Sequence, residues 1–203
     1  MPPRDLLERA LHALHPPPLD APWNLDQLAD LLPPEPLRAA AVLVGLREHR
    51  HGTTVLLTRR QDALRHHAGQ ISFPGGRIDL ADAGPLAAAL RETDEEVGLP
   101  ASAIEPVGWL DPYATITGFH VYPLVARIDP ERPLFPNADE VAEAFEVPLD
   151  FLLDPGSARD VAMAWRGRTR LLVEFQWNEH RIWGATAAML VNLRERLLAA
   201  SVG

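Results

Sequence analysis

Residues 91–99 read Arg-Glu-Thr-Asp-Glu-Glu-Val-Gly-Leu, and this short acidic stretch decides how the rest of the chain is interpreted. On a helix, side chains three and four residues apart share a face, so Glu92, Glu95 and Glu96 point the same way. Like charges at this spacing destabilise a helix, whereas a cation between them turns the repulsion into attraction. Mg²⁺ and Mn²⁺ favour oxygen ligands and retain waters and substrate phosphates. The stretch therefore predicts a helix that carries a divalent-metal site.

The sequence around this stretch predicts a helix from Pro85 to Val97. The segment has no internal glycine or proline, and its proline lies in the first turn. Gly98 follows at the position where helices commonly end in a left-handed residue. A second face of this helix is suited to packing against a sheet; it comprises Leu86, Leu90, Thr93 and Val97.

The remaining pattern mixes strands with separated helices, which indicates an α/β or α+β domain around a mixed sheet over residues 38–203. Strands are predicted at 38–46, 54–59, 104–110 and 119–128, with a late hairpin of 161–166 and 170–177 around Gly167. Residues 61–82 are interpreted as a long loop, and 139–145 and 185–200 as helices. Residues 1–37, with helices at 4–15 and 24–32 ended by prolines, are interpreted as a helical arm ahead of the domain.

The composition restricts the classes of function. A chain of 203 residues without cysteine suits one domain, with neither disulfides nor thiolate metal sites nor cysteine nucleophiles. A net charge of -9 repels polyanions and disfavours nucleic-acid binding. The N-terminus lacks the layout of a secretion signal, and the apolar runs are too short to span a bilayer. A soluble cytoplasmic protein without a membrane partner is expected.

A plainer reading of the acidic stretch is a solvated helix surface, which is what most acidic clusters are. Phe73-Pro74-Gly75-Gly76 shortly upstream favours a site instead, because adjacent glycines let the backbone turn tightly or approach a ligand closely. A strand, a glycine turn, a loop and a carboxylate-lined helix together suit the presentation of metal ions to a diphosphate.

Residues 76–99 resemble the Nudix box, which is a glycine, five residues, a glutamate, seven residues and then Arg-Glu-aliphatic-x-Glu-Glu-x-Gly-aliphatic. The second half matches from Arg91 to Leu99, with Thr93 in place of the aliphatic residue. In the first half Asp82 stands in place of the glutamate, and eight residues separate it from Arg91. The resemblance implies an α/β/α sandwich with a mixed central sheet, and a hydrolase that uses Mg²⁺ or Mn²⁺.

Further motifs resemble those of coenzyme A diphosphatases, whose signature runs LLTxR, a serine, R, HxG and FPGGxxD. The matching residues are Leu56-Leu57-Thr58-Arg59-Arg60, Arg65, His67, Gly69, Phe73-Pro74-Gly75-Gly76 and Asp79, and Gln61 replaces the serine. Residues 117–123 and 183–186 also resemble this subfamily, so the likeness runs from about residue 40 to 195. It implies a small-molecule substrate, coenzyme A or its thioesters or oxidised form, and the products 3′,5′-ADP and 4′-phosphopantetheine.

The metal ligands expected from the spacing and the resemblance are Glu92 and Glu96, with Glu95 as a third ligand or helper. Arg91 is expected to pair with one of these carboxylates and hold it in place. The general base is expected to be either Glu95 or a carboxylate from a later loop, for which Glu140 and Glu143 are the candidates.

The expected substrate contacts lie in the subfamily signature. Arg59, Arg65 and His67 are candidates for binding phosphates, because guanidinium forks match phosphate oxygens. Gly75 and Gly76 are expected to bring the backbone close to the substrate.

Two rival functions stay open at this point. One is a Nudix enzyme for another nucleoside diphosphate derivative, such as ADP-ribose or a dinucleoside polyphosphate. The other is a non-catalytic Nudix-fold module that binds a nucleotide; such modules typically lose box carboxylates, which this chain retains. The arm allows either a cap over the substrate or a homodimer contact, and His12, His15 and His180 are expected at the surface.

Overall fold

The computed structural model describes residues 1–61, 69–165 and 168–202. The strands are β1 (Arg38–His49), β2 (Gly52–Arg60), β3 (Ile71–Ser72), β4 (Gly75–Arg77), β5 (Ile104–Trp109), β6 (Tyr113–Ala114), β7 (Phe119–Ile128), β8 (Val141–Pro148), β9 (Ala158–Trp165), β10 (Arg168–Trp177) and β11 (His180–Trp183). The helices are α1 (Arg4–Ala10), α2 (Leu25–Leu28), α3 (Pro85–Val97), α4 (Leu149–Leu153) and α5 (Gly184–Val202), with single 3₁₀ turns at Ala101–Ala103 and Pro155–Ser157.

The central sheet is mixed, as predicted, and β1 is the strand that organises it. Strand β1 runs parallel to β7 and antiparallel to both β2 and β4. The strand order is β3-β2-β1-β7-β5, with β8 paired to β2, β4 to β1 and β6 to β7. Because β2 pairs with the end of β1 and β4 with its beginning, the glycine-rich segment continues the sheet beside β1.

The two faces of β1 are covered by different helices, which gives the predicted α/β/α sandwich. Ala41 and Leu43 belong to the cluster that includes Ala88, Ala89 and Val97 of α3. Side chains on the opposite face, from Ala40 to Leu46, pack with α1, α4 and α5. Successive side chains of a strand point to opposite faces, so the apolar run of β1 is buried on both sides.

Strands β9, β10 and β11 form a second, antiparallel sheet. The pairing of β9 with β10 confirms the predicted late hairpin, although Gly167 itself lies outside the described residues. Strand β11 contacts β3, and the Thr186 hydroxyl at the start of α5 donates to the Ile71 carbonyl at 2.9 Å. This unit is therefore attached beside the glycine-rich segment.

The predicted helix over 139–145 is wrong, because most of this segment belongs to β8. Its backbone pairs with β2, with Glu143 opposite Arg59 and Phe145 opposite Leu57. A run of seven residues does not separate a helix from a strand by periodicity, so the available sheet edge decided the outcome. The predicted loop 61–82 likewise contains β3 and β4.

Residues 1–37 hold less helix than predicted and lie against the sheet. Helix α1 ends at Ala10 because His12 leaves it to form a backbone bridge with Trp109, and α2 has only four residues. Leu7 is fully buried in the cluster under α5. The Asn24 side chain donates to the Ala114 carbonyl and accepts from its amide, at 2.9 and 2.8 Å. In the described part of the chain, no helix combines the length and apolar character needed to cross a membrane.

Candidate active site

Helix α3 presents its carboxylates at fixed positions because both of its ends and its inner face are defined. Gly84 (φ 122°) precedes Pro85, and Gly98 (φ 67°) ends the helix in the left-handed conformation with its amide bonded to the Asp94 carbonyl at 2.9 Å. Thr93 is fully buried and satisfies its hydroxyl within the helix by donating to the Ala89 carbonyl at 2.7 Å.

Glu96 is a buried carboxylate with few hydrogen-bonding or charged partners among the described residues. It is 4% exposed, it accepts one hydrogen bond of 3.2 Å from the Gly75 amide, and Arg60 Nη1 lies 3.8 Å from its Oε1. Burial raises the pKa of the Glu96 carboxyl to about 7, against the opposing effects of Gly75 and Arg60. A desolvated carboxylate is suited to receiving a cation.

Glu92 lies directly under the glycine pair. A methyl group on Gly76 would fall 2.5 and 2.6 Å from its two carboxylate oxygens, so only glycine leaves room for the side chain. Burial raises the pKa of Glu92, the adjacent Arg91 opposes this, and the charges of Glu95 and Glu140 add to the increase. The expected close approach of Gly75 and Gly76 is thus directed at the two carboxylates themselves.

Arg91 holds the site together through several carboxylates. Its guanidinium contacts Asp82 through two hydrogen bonds of 3.0 Å, Glu92 Oε1 at 2.9 Å and Glu95 Oε2 at 3.0 Å. It also donates to the Arg77 carbonyl at 3.1 Å. The hydrogen bonds that Arg91 donates to Asp82 lower the pKa of the Asp82 carboxyl. Asp82, which stands in place of the box glutamate, therefore orients Arg91 despite its shorter side chain and extra residue of spacing.

The later carboxylates Glu140 and Glu143 lie in different surroundings. The loop before Glu140 is attached to the end of α3, where the Asn137 amide donates to the Glu96 carbonyl at 2.9 Å. The charge of Glu140 contributes to the raised pKa of both Glu92 and Glu96. Glu143 lies on β8 with Arg59 Nε 3.7 Å from its Oε2. Of these two candidates for the base, Glu140 is the one whose charge raises the pKa of Glu92 and Glu96.

The structure describes some of the cationic candidates and not others. Arg65 and His67 lie in 62–68, outside the described residues. Arg59 pairs with Glu143, and the expectation of a surface position is wrong for His180, which is 7% exposed and stacks on Phe145 at 3.8 Å between ring centroids. Arg60, which sequence reasoning did not single out, is the arginine beside Glu96; its place directly after Arg59 in the signature was the available signal.

The donor set at α3 fits Mg²⁺ or Mn²⁺. Among the described residues, no three His, Asp or Glu side chains are already gathered as a metal cage. Mg²⁺ does not require one, because it is commonly held by one or two carboxylates together with waters and substrate phosphates. Glu92 and Glu96 supply two desolvated carboxylates one helical turn apart, and Glu95 lies beside them on Arg91.

The raised pKa of Glu96 predicts a pH dependence of stability in the absence of divalent cations. Between pH 4.5 and about 7, folded Glu96 keeps a proton that the unfolded chain releases, so the free energy of unfolding falls as pH rises through this range. The size of the shift corresponds to about 3 kcal/mol. Denaturant unfolding in chelator at pH 5 to 8 is expected to show this decline in the wild type relative to Glu96→Gln. If the wild type and Glu96→Gln differed in free energy of unfolding by the same amount at every pH, burial would not raise the pKa of Glu96.

Comparison with known proteins identifies relatives of this chain. Residues 36–165 match the NUDIX domain family. The protein named uncharacterized Nudix hydrolase NudL from Escherichia coli strain K12 is 40% identical over 156 residues, which are 77% of this chain and 81% of that protein. The protein of the same name from Shigella flexneri is 41% identical over 161 residues, 78% of this chain and 83% of that protein.

Among solved structures, a Nudix hydrolase from M. smegmatis, RenU, is similar with a TM-score of 0.57 and 23% identity, over 83% of this chain and 89% of that chain. A NUDIX hydrolase from Alicyclobacillus acidocaldarius has a TM-score of 0.51 and 18% identity, over 83% and 97% of the two chains. At these identities the likeness establishes a common fold.

Proposed function

Because the chain belongs to the Nudix hydrolase family, we propose that it hydrolyses the diphosphate linkage of coenzyme A, with Mg²⁺ or Mn²⁺ bound by Glu92, Glu96 and Glu95. The products are 3′,5′-ADP and 4′-phosphopantetheine. The substrate assignment depends on the signature motifs around β2, β3 and β4, and the reaction type depends on α3.

The observation that carries the proposal is the contact between these two regions. The Gly75 amide binds Glu96, and Gly76 lies against the carboxylate of Glu92. The signature FPGG and the acidic helix, which are separated in sequence, are therefore in contact, which supports a single site for substrate and metal. A diphosphate placed there has metal-binding carboxylates on one side and the arginines at the end of β2 nearby.

The reaction adds one water across the P–O–P linkage. A phosphorus–oxygen bond forms to the water oxygen, one bridging phosphorus–oxygen bond breaks, and each product leaves as a phosphomonoester. Bound Mg²⁺ or Mn²⁺ would neutralise the developing charge and acidify the attacking water. We assign the acceptance of the water proton to Glu140 or Glu95, the orientation of Glu92 and Glu95 to Arg91, and contact with substrate phosphates to Arg59 and Arg60.

A substrate panel tests the assignment. Coenzyme A, a thioester, coenzyme A disulfide, ADP-ribose and a dinucleoside polyphosphate are incubated with Mg²⁺ and with Mn²⁺, and products are identified by mass. We expect kcat/KM to be highest for a coenzyme A compound. For coenzyme A, the masses of the two named products should add up to the mass of the substrate plus one water. Faster turnover of ADP-ribose than of coenzyme A would end the substrate assignment. Binding without cleavage of any compound would favour the nucleotide-binding module.

A further inference from the structure

Two arginines and one phenylalanine gather at the end of the sheet beside the glycine pair. Phe119 begins β7, Arg38 begins β1 directly opposite it, and Arg77 is the last residue of β4. The guanidinium carbons of Arg38 and Arg77 lie 4.3 and 5.6 Å from the centroid of the Phe119 ring. We call these three residues the arginine–phenylalanine patch.

The positive charge of this patch is not neutralised within the described part of the chain. Neither Arg38 nor Arg77 has a carboxylate oxygen within 4.0 Å there, whereas arginines such as Arg47 and Arg170 pair with Glu146 and Asp30. The Arg38 side chain instead donates to the Thr117 carbonyl at 3.4 Å. In a protein of net charge -9, two unneutralised guanidinium groups beside one ring are a local exception. An anion bound by these guanidinium groups would supply the missing negative charge.

The aromatic ring also prepares the two arginines for binding. A guanidinium that stacks on an aromatic face keeps its edge N–H donors free for the oxygens of a ligand. Both arginines are exposed and Phe119 is half-buried, so these donors are accessible. Holding the side chains in place before binding reduces the entropy lost when a ligand is bound.

The patch adjoins the proposed diphosphate site through the backbone of β4. Arg77 directly follows Gly76, which lies against Glu92, and its carbonyl accepts a hydrogen bond from Arg91. Successive residues of a strand point to opposite faces, so the Arg77 side chain leaves the sheet on the face away from Glu92. A ligand that occupies both places carries a phosphate separate from its diphosphate.

We propose that the arginine–phenylalanine patch binds a phosphomonoester dianion that is distinct from the scissile diphosphate. This inference rests on the proposed function and deepens it, since coenzyme A carries such a group as the 3′-phosphate of its ribose. The patch then distinguishes coenzyme A from nucleoside diphosphate compounds that lack this phosphate, and it assigns Arg38 and Arg77 to substrate specificity.

The test compares coenzyme A with 3′-dephospho-coenzyme A. We expect Arg77→Gln and Arg38→Gln each to lower kcat/KM for coenzyme A, relative to kcat/KM for 3′-dephospho-coenzyme A, about tenfold or more. The change should come mainly from a higher KM for coenzyme A. Arg77→Lys, which retains the charge, is expected to keep more of this preference. Arg50→Gln is the matched control, since Arg50 is exposed in the turn beyond the far end of β1. A ratio that is the same in wild type, Arg77→Gln and Arg38→Gln would overturn the proposal.

A binding measurement separates this inference from the proposed reaction. Calorimetry with 3′,5′-ADP and with 5′-AMP does not require turnover, and we expect 3′,5′-ADP to bind the wild type about tenfold more tightly. The difference should be lost in Arg77→Gln. Such a result in a protein that does not cleave coenzyme A would retain the patch while ending the proposed function. Equal affinity of the wild type for the two nucleotides would overturn the patch even if coenzyme A is cleaved.

Discussion

Glu96→Gln is expected to lower the turnover of coenzyme A at least about 100-fold while the protein stays folded, because metal ions supply several kcal/mol of charge stabilisation and each 1.4 kcal/mol is worth about tenfold in rate. Glutamine has nearly the same shape as glutamate and keeps an acceptor for the Gly75 amide, which lies 3.2 Å from Glu96 Oε2. It removes the charge that attracts the cation. Glu92→Gln is expected to act in the same way.

Steady-state rates at several Mg²⁺ concentrations, together with thermal unfolding, measure this effect. Glu195→Gln is the matched control, since it makes the same chemical change on an exposed position of α5. Lost turnover with a melting temperature at pH 8 in chelator that is higher than that of the wild type, because the buried charge has been removed, is the expected pattern for Glu96→Gln. Wild-type rates in both Glu92→Gln and Glu96→Gln would refute the metal assignment.

Alanine at Gly76 and alanine at Gly75 are expected to damage different properties. At Gly76 the added methyl group overlaps the Glu92 carboxylate, which is the far end of a flexible side chain. The carboxylate turns away at little cost to stability, and activity falls about 100-fold because a catalytic group has been misplaced. At Gly75 the methyl group overlaps the Ala41 carbonyl and lies 2.6 Å from the Val42 Cα, where φ is 147°. The backbone cannot avoid this, so the free energy of unfolding falls by about 3 kcal/mol or more.

Denaturant unfolding and activity per folded molecule, measured on both variants, separate the two effects. Gly52→Ala provides a control for the backbone conformation alone, since Gly52 has φ 130° and no atom within 4 Å of an added methyl group. If Gly76→Ala lost as much stability as Gly75→Ala and kept its activity per folded molecule, the contact between Gly76 and Glu92 would have no functional role.

The sequence alone determined the acidic helix and the buried strands around it. Pro85 and Gly98 mark the two ends of α3 within the segment itself, and the face that carries Glu92, Glu95 and Glu96 follows from helical geometry. Long apolar runs such as β1 likewise predict buried strands, because both faces of such a strand must be covered. These features depend on residues that are neighbours along the chain, so a local pattern is sufficient to predict them.

The tertiary structure decided the features that depend on distant partners. Residues 141–148 became a strand because the edge of β2 was free to pair with them. Asp82 binds Arg91, and His180 is buried. The charge of Glu140, rather than that of Glu143, raises the pKa of Glu96. The raised pKa of Glu96 likewise comes from the strand and loops that cover it. Pairing, burial and electrostatic fields arise between groups brought together only by folding, and no short stretch of sequence contains both partners.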